Sequence, residues 1–141
     1  MQIAFYKQSS KGLLKKLVHY GICLATLSRY SHCELVINGL CYSSSGRDHG
    51  VRKKYIPDLY SSGHWDVFDI AYDEDYALKV YEYNKLGKYD YFGVARYIFP
   101  FIPNIRNKWY CSELVAVMLG LPKEQTPQDL FNTLIVKKYT L

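Results

Sequence analysis

The sequence lacks the motifs that define several common classes of protein. It has no Cys-x-x-Cys pair, no His-Glu-x-x-His motif and no other clustered metal ligands, so we expect no metal site and no cofactor. No apolar run reaches the roughly 18 residues that a membrane-spanning helix requires, and the amino terminus lacks the charged and then apolar layout of a signal peptide. We therefore expect a chain that does not span a membrane and works in the reducing cytoplasm, with its four cysteines unbridged.

Composition and charge fit one folded domain. The chain has 141 residues, of which 49% are hydrophobic and 22% are charged, and this predicts a single domain over residues 1–141. The net charge of +5 is spread over short basic stretches, such as Arg52-Lys53-Lys54. We interpret these stretches as solvated faces and expect no specific nucleic-acid partner.

Hydrophobic periodicity predicts a mixed α+β fold. Strands are predicted at residues 3–8, 31–37, 40–45, 51–56 and 65–70. Helices are predicted at residues 11–27, 73–86 and 110–119, with a short last helix capped by Thr126. Asn38-Gly39 is a strong signal for a two-residue hairpin turn, because both positions accept positive φ.

Cys111 is the first candidate for a chemical role. It lies at the start of the predicted helix 110–119, on the face that also carries Leu114 and Val115. The positive end of a helix favours the thiolate, which is the nucleophilic form of cysteine. A small buried core cysteine is the alternative interpretation of the same position.

His32 is the candidate base, because it is the one histidine within a strand of clear alternation. His32 and Glu34 share one face of that strand, and a solvated sheet face is the alternative interpretation. The predicted hairpin register places Ser43 and Ser45 on the same face. A catalytic histidine needs a partner that fixes its orientation, and Glu34, Ser43 and Ser45 are the candidates, with Glu34 as the first choice.

Four segments together resemble a known superfamily. The run from Tyr110 to Val115, Tyr-Cys-Ser-Glu-Leu-Val, closely resembles the nucleophile motif of the circularly permuted NlpC/P60 superfamily of papain-like proteins. The similarity is to its YiiX/YaeF-like branch, which is related to lecithin retinol acyltransferase. Ser31-His32 resembles the start of the base-bearing strand, Gly87-Lys88-Tyr89-Asp90-Tyr91 the Gly…Tyr-Asp segment, and Thr126-Pro127-Gln128-Asp129-Leu130 the closing Thr-Pro-x-x-Leu.

The resemblance implies a fold and a chemistry. The fold would be an antiparallel sheet or half-barrel packed on the nucleophile helix, and the site a Cys-His pair with a third polar residue on the strand after the histidine. Members act at an acyl carbon, on peptidoglycan peptides, lipids or amides of unknown identity, and compact viral members exist. This chain departs from the pattern, because Glu34 stands where a glycine is usual and the third position falls within Ser43-Ser44-Ser45.

These observations lead to a cysteine hydrolase hypothesis. Cys111 attacks the carbonyl of an amide (peptide, isopeptide or lipid amide) or a thioester, and His32 moves the protons. The backbone N–H of Cys111 stabilises the oxyanion, and Tyr110 and Tyr6 are candidate second donors. Acyl transfer to another acceptor is a variant of the same chemistry. The alternatives are an inactive binding member of the same fold and a binder that uses basic and aromatic surface residues.

Overall fold

The structure is a computed structural model that describes residues 1–7, 28–92, 101 and 107–136. The predicted helix at residues 11–27, and Cys23 within it, lie outside the described residues. Among the described residues, no helix has both the length and the apolar character needed to cross a membrane.

A seven-stranded sheet organises the described part of the chain. Its order is β5-β1-β2-β3-β4-β6-β7, and every neighbouring pair is antiparallel except β6 and β7. The strands are β1 (Gln2–Tyr6), β2 (His32–Ile37), β3 (Leu40–Ser45), β4 (Gly50–Lys54), β5 (Trp65–Asp69), β6 (Lys88–Tyr89) and β7 (Lys108–Trp109). The five strands predicted from the sequence are all present, and their bounds move by at most two residues.

Three α-helices accompany the sheet in the described ranges: α1 (Glu74–Asn84), α2 (Cys111–Met118) and α3 (Pro127–Phe131), with a π-helical turn at Asn132–Val136. The predicted cap of α3 is confirmed, since the Thr126 hydroxyl accepts from the backbone N–H of Asp129 at 3.0 Å and Asp129 accepts from the backbone N–H of Thr126 at 3.1 Å. The α+β prediction is therefore confirmed, and the permuted papain-like arrangement stays a prediction.

The hairpin between β2 and β3 forms as predicted at its turn but not along its whole length. Asn38 and Gly39 adopt φ values of 51° and 76°, and Ile37 faces Leu40. Within the described residues the ladder comprises three pairs and stops at Leu35, so the predicted pairings of Glu34 with Ser43 and His32 with Ser45 are wrong. The ladder therefore does not extend to the end of β2 where His32 lies.

The two faces of the sheet carry different clusters. The larger cluster joins β1 and β2 to α2 and includes Phe5, Cys33, Leu35, Cys111 and Leu114. The smaller cluster, on the other face, includes Ala4, Val36, Cys41 and Leu59. Cys33 and Cys41 therefore lie on opposite sides, and Cys33, Cys41 and Cys111 are all unbridged, as predicted.

Gly50 gives the fold its first testable prediction. It pairs with Ser45 and with Lys88, at φ 157°, and a Cβ atom there would lie 2.3 Å from the carbonyl oxygen of Gly87. Gly50→Ala is expected to lower the free energy of unfolding by about 1–3 kcal/mol, because backbone must move to admit the methyl group. Urea unfolding measures this loss.

The matched control is Lys53→Ala, an exposed position of the same strand. Its free energy of unfolding should stay within about 0.5 kcal/mol of the parent. Equal stability of the Gly50 variant and this control would contradict the close approach of β4 and β6.

Candidate active site

Cys111 is the first residue of α2, and the chain leading to it is tied to the sheet. The carbonyl oxygen of Trp109 accepts a hydrogen bond from the Ser44 hydroxyl at 2.7 Å and from the backbone N–H of Asp90 at 3.0 Å. Glu113, one turn into the helix, accepts from the backbone N–H of Tyr110 at 3.4 Å. These bonds fix the start of α2, so the Cys111 sulfur is held at the positive end of the helix.

His32, at the start of β2, makes contact with Cys111. Nε2 of His32 lies 2.7 Å from Oε1 of Glu34, and Cys111 interacts with the imidazole closely enough to shift its pKa. Because Glu34 engages Nε2, we expect Nδ1 to be the ring nitrogen that serves the sulfur. The His32 side chain is 23% exposed and Cys111 is 4% exposed, so solvent reaches the histidine side of the pair.

The pKa values of the pair move in opposite directions. Burial lowers the pKa of His32, but the charges and hydrogen bonds of Cys111 and Glu34 outweigh it and raise the pKa from 6.5 to about 9. A hydrogen bond from the Cys33 thiol, together with His32, holds the pKa of Cys111 well below its ordinary range in spite of burial. Both shifts favour a thiolate on Cys111 beside an imidazolium on His32.

Glu34 is fully buried and is bound by a second cation. Nη1 of Arg52 donates to Oε2 of Glu34 at 2.7 Å, and Nη2 donates to Oε1. Burial by itself would raise the pKa of Glu34, but His32 and Arg52 hold it below its ordinary value. The small side chains of Ala4 and Ser43, which pair with Glu34 and Arg52 respectively, leave room for this contact.

The interpretation of Arg52-Lys53-Lys54 as one solvated face is wrong at Arg52. The Arg52 side chain is 12% exposed, whereas Lys53 is exposed. Strand alternation turns the two residues to opposite sides, and a buried carboxylate lies under Arg52. The alternation of side chains along a strand could have indicated from the sequence that Arg52 and Lys53 face opposite sides. Three consecutive basic residues hide that alternation.

The serine alternatives for the partner of His32 are also wrong. Ser43 donates its hydroxyl to the carbonyl oxygen of Cys33 at 2.7 Å, and the Ser45 hydroxyl accepts from the backbone N–H of Arg47 at 3.3 Å. Because the β2–β3 ladder ends before this level, both hydroxyls serve the backbone. The structure brings Glu34, rather than either serine, to His32.

The two tyrosines proposed as oxyanion donors have different placements. The Tyr110 hydroxyl donates to the carbonyl oxygen of Gln125 at 3.0 Å, which uses its one proton in the structure, so this arrangement does not favour Tyr110 as an oxyanion donor. Tyr6 pairs with His32 across the sheet, and its ring packs edge-on against Trp65 at 4.9 Å between centroids. Tyr6 therefore forms part of an aromatic wall beside His32, and its role toward an oxyanion stays a prediction.

Two further neighbours of Cys111 were not selected from the sequence. Cys33 faces the opposite side of β2 from His32, but α2 packs on that side, so its thiol meets the Cys111 sulfur. Burial raises the pKa of Cys33, and the negative charge of Cys111 raises it further, so Cys33 stays a neutral donor. Burial and the same negative charge raise the pKa of Tyr89 in β6. The Gly87–Tyr91 resemblance was the available signal for Tyr89.

No group of three or more His, Cys, Asp or Glu side chains in the described ranges has the arrangement of a metal site. A scan against protein-family models found no match, and a search of curated proteins found no match either. The arrangement of the site therefore carries the functional argument.

The Cys33 contact gives the second prediction. Cys33→Ala is expected to raise the pKa of Cys111, because the thiolate loses a hydrogen-bond donor, and Cys33→Ser should restore part of the shift because a hydroxyl also donates. The ultraviolet absorbance of the thiolate, followed against pH, measures the midpoint. Cys41→Ala removes a thiol from the opposite face and is the control. An identical midpoint in Cys33→Ala and Cys41→Ala would contradict the proposed donor role.

Proposed function

We propose that this protein is a cysteine hydrolase that cleaves an amide or a thioester through a thioester acyl-enzyme on Cys111. The observation that carries the proposal is the contact of Cys111 with His32, whose other ring nitrogen is held by Glu34. A nucleophile, a base and an orienting carboxylate in that order form the arrangement that acyl transfer through cysteine requires. The order of histidine before cysteine fits the permuted NlpC/P60 arrangement, which we propose for the fold.

In the acylation step the Cys111 thiolate attacks the substrate carbonyl carbon. A sulfur–carbon bond forms, and the negative charge moves to the carbonyl oxygen, where the backbone N–H of Cys111 at the start of α2 stabilises it. The imidazolium of His32 gives its proton to the leaving nitrogen or sulfur as the carbon–heteroatom bond breaks. The products of this step are the free amine or thiol and the thioester on Cys111.

In the deacylation step neutral His32 takes a proton from water, and the resulting hydroxide equivalent attacks the thioester carbonyl. The carbon–sulfur bond breaks, the acid product leaves, and the thiolate and imidazolium are regenerated. Glu34 stabilises the imidazolium that forms here, because its Oε1 lies 2.7 Å from Nε2.

The charge state of the site favours an enzyme over an inactive binding member. A binding site has no need of a cysteine pKa held well below its ordinary range, and a buried neutral thiol would cost less to keep. The aromatic wall of Tyr6 and Trp65 lies next to His32, with Trp65 and His32 at 6.2 Å between centroids. This wall offers an apolar flank for the acyl group or for a neighbouring substrate side chain.

The third prediction tests the nucleophile with p-nitrophenyl acetate, a general acyl donor. The protein should release a burst of nitrophenolate and carry one acetyl group on the tryptic peptide that contains Cys111. Cys111→Ala should lose both signals, with turnover lower by several orders of magnitude, while the free energy of unfolding changes by about 1 kcal/mol. Cys41→Ala is the control and should keep both. Acetylation of another residue at the same rate would refute the assignment.

The fourth prediction concerns the dependence on pH. Acylation by an amide requires ionised Cys111 and protonated His32, so its rate should persist below the ordinary cysteine pKa and fall as pH rises through about 9, where His32 loses its proton. Glu34→Gln should lower the pKa of His32 and raise that of Cys111, because the imidazolium loses its carboxylate. The pH range in which the protein is active then becomes narrower at both its acidic and its basic end.

The rate of Cys111 alkylation by iodoacetamide, measured against pH, reports the thiolate. The rate of acylation by p-nitroacetanilide, whose leaving nitrogen must receive a proton, reports His32. Glu82→Gln, at an exposed glutamate of α1 that pairs with Lys85, removes the same charge away from the site and is the matched control. If Glu34→Gln and Glu82→Gln give one pH profile, Glu34 has no role in the charge state of the pair.

A further inference from the structure

The ionised form of Glu34 is stabilised by more than its contact with His32. Its side chain is fully buried, and a buried carboxylate without compensation is costly enough to take up a proton instead. His32 contacts Oε1 alone, whereas Arg52 donates to both carboxylate oxygens. The guanidinium is therefore the partner that fixes the plane of the carboxylate as well as its charge.

Arg52 is itself held in place by the chain around it. Its Nε donates to Asp48 at 3.0 Å, and its Nη1 also reaches the carbonyl oxygen of Cys41 at 3.4 Å. Asp48 in turn accepts from Lys54 at 2.9 Å. The guanidinium thus has a fixed orientation, and its fork meets Glu34 in the two-point geometry that a lysine ammonium cannot reproduce.

We propose that Arg52 is a positioning residue of the hydrolytic site, which keeps Glu34 ionised and oriented so that Glu34 can stabilise the imidazolium of His32. Its catalytic consequence rests on the proposed function, whereas its effect on the charge of Cys111 does not.

The charges around Glu34 explain why the loss of Arg52 should change the pKa of Cys111. Cys111 and Glu34 carry negative charges, His32 and Arg52 carry positive charges, and the four together are neutral. Cys33 and Cys41 also lie close enough to feel Glu34, and both stay neutral because burial raises the pKa of each.

Without Arg52 the remaining three groups would carry a net negative charge in a buried site. Glu34 would relieve this charge by taking a proton, His32 would then lose the partner of its imidazolium, and the Cys111 thiolate would lose its counter-charge.

The test is the pH at which the Cys111 thiolate forms, followed by its ultraviolet absorbance and by iodoacetamide alkylation. Arg52→Met keeps the length of the side chain without the charge and should raise that midpoint by on the order of one pH unit, a tenfold loss of thiolate at a given acidic pH. Arg52→Lys keeps the positive charge but loses the two-point contact with Glu34, so the midpoint should rise by less than in Arg52→Met. Lys53→Met, which removes a charge from an exposed position of the same strand, should match the parent.

A second comparison separates positioning from general support of the fold. If Arg52 acts through Glu34, adding Arg52→Met to Glu34→Gln should give no further rise of the midpoint, whereas independent action would add a full second shift and overturn the proposal. A parental midpoint in folded Arg52→Met overturns it directly. If Arg52→Met does not fold, the comparison of Arg52→Lys with Lys53→Met decides, and equal midpoints there overturn the proposal. Because these measurements use no substrate, a shifted midpoint supports Arg52 even where ester hydrolysis is absent and the proposed function fails.

Discussion

The buried carboxylate of Glu34 is the charge on which the candidate site depends. A carboxylate without solvent contact is stable only with counter-charges and hydrogen bonds around it, and the fold supplies one cation from the same strand and one from β4. The negative charge of Glu34 holds Arg52 in place and favours the protonated form of His32. Protonated His32 in turn favours the thiolate of Cys111. The candidate nucleophile Cys111 is thus the last of the charged groups that His32 links to Glu34.

The sheet makes room for these charges by its choice of small residues. Ala4 lies across from Glu34 and Ser43 across from Arg52, so the row that would otherwise hold large apolar side chains holds an ion pair instead. The interruption of the β2–β3 ladder at the same level has a related effect. Ser43 replaces a ladder bond by donating its hydroxyl to Cys33, and the strands separate where His32 must reach toward α2.

Local signals in the sequence predicted the local structure well. Asn38-Gly39 fixed the hairpin turn and Thr126 with Asp129 fixed the start of α3, because each depends on residues that are neighbours in the chain. The candidate site was predictable in part, since Cys111 at a helix start and Glu34 on the face of His32 follow from the two periodicities. Whether those residues catalyse a reaction stays a prediction.

The contacts that sequence reasoning missed all depend on how distant elements meet. Arg52 belonged to a basic run, and only the pairing of β4 with β3 shows that it lies over Glu34. The serines were assigned by extending a register that the structure interrupts after Leu35. Hydroxyl groups satisfy backbone groups where a ladder stops, and no local pattern in the sequence marks that point.

Consecutive residues of β2 approach Cys111 from the two faces of one strand. Alternation sends His32 and Cys33 to opposite sides, yet both bond the same sulfur, which is consistent with α2 beginning at the open end of the strand. The two bonds have different consequences. The His32 bond supplies a proton that chemistry can use, whereas the buried Cys33 thiol lowers the cost of the negative charge without competing for that proton, because its own pKa is raised. In the proposed mechanism the Cys33 thiol would stabilise the Cys111 thiolate when it leaves during deacylation, independently of the protonation state of His32.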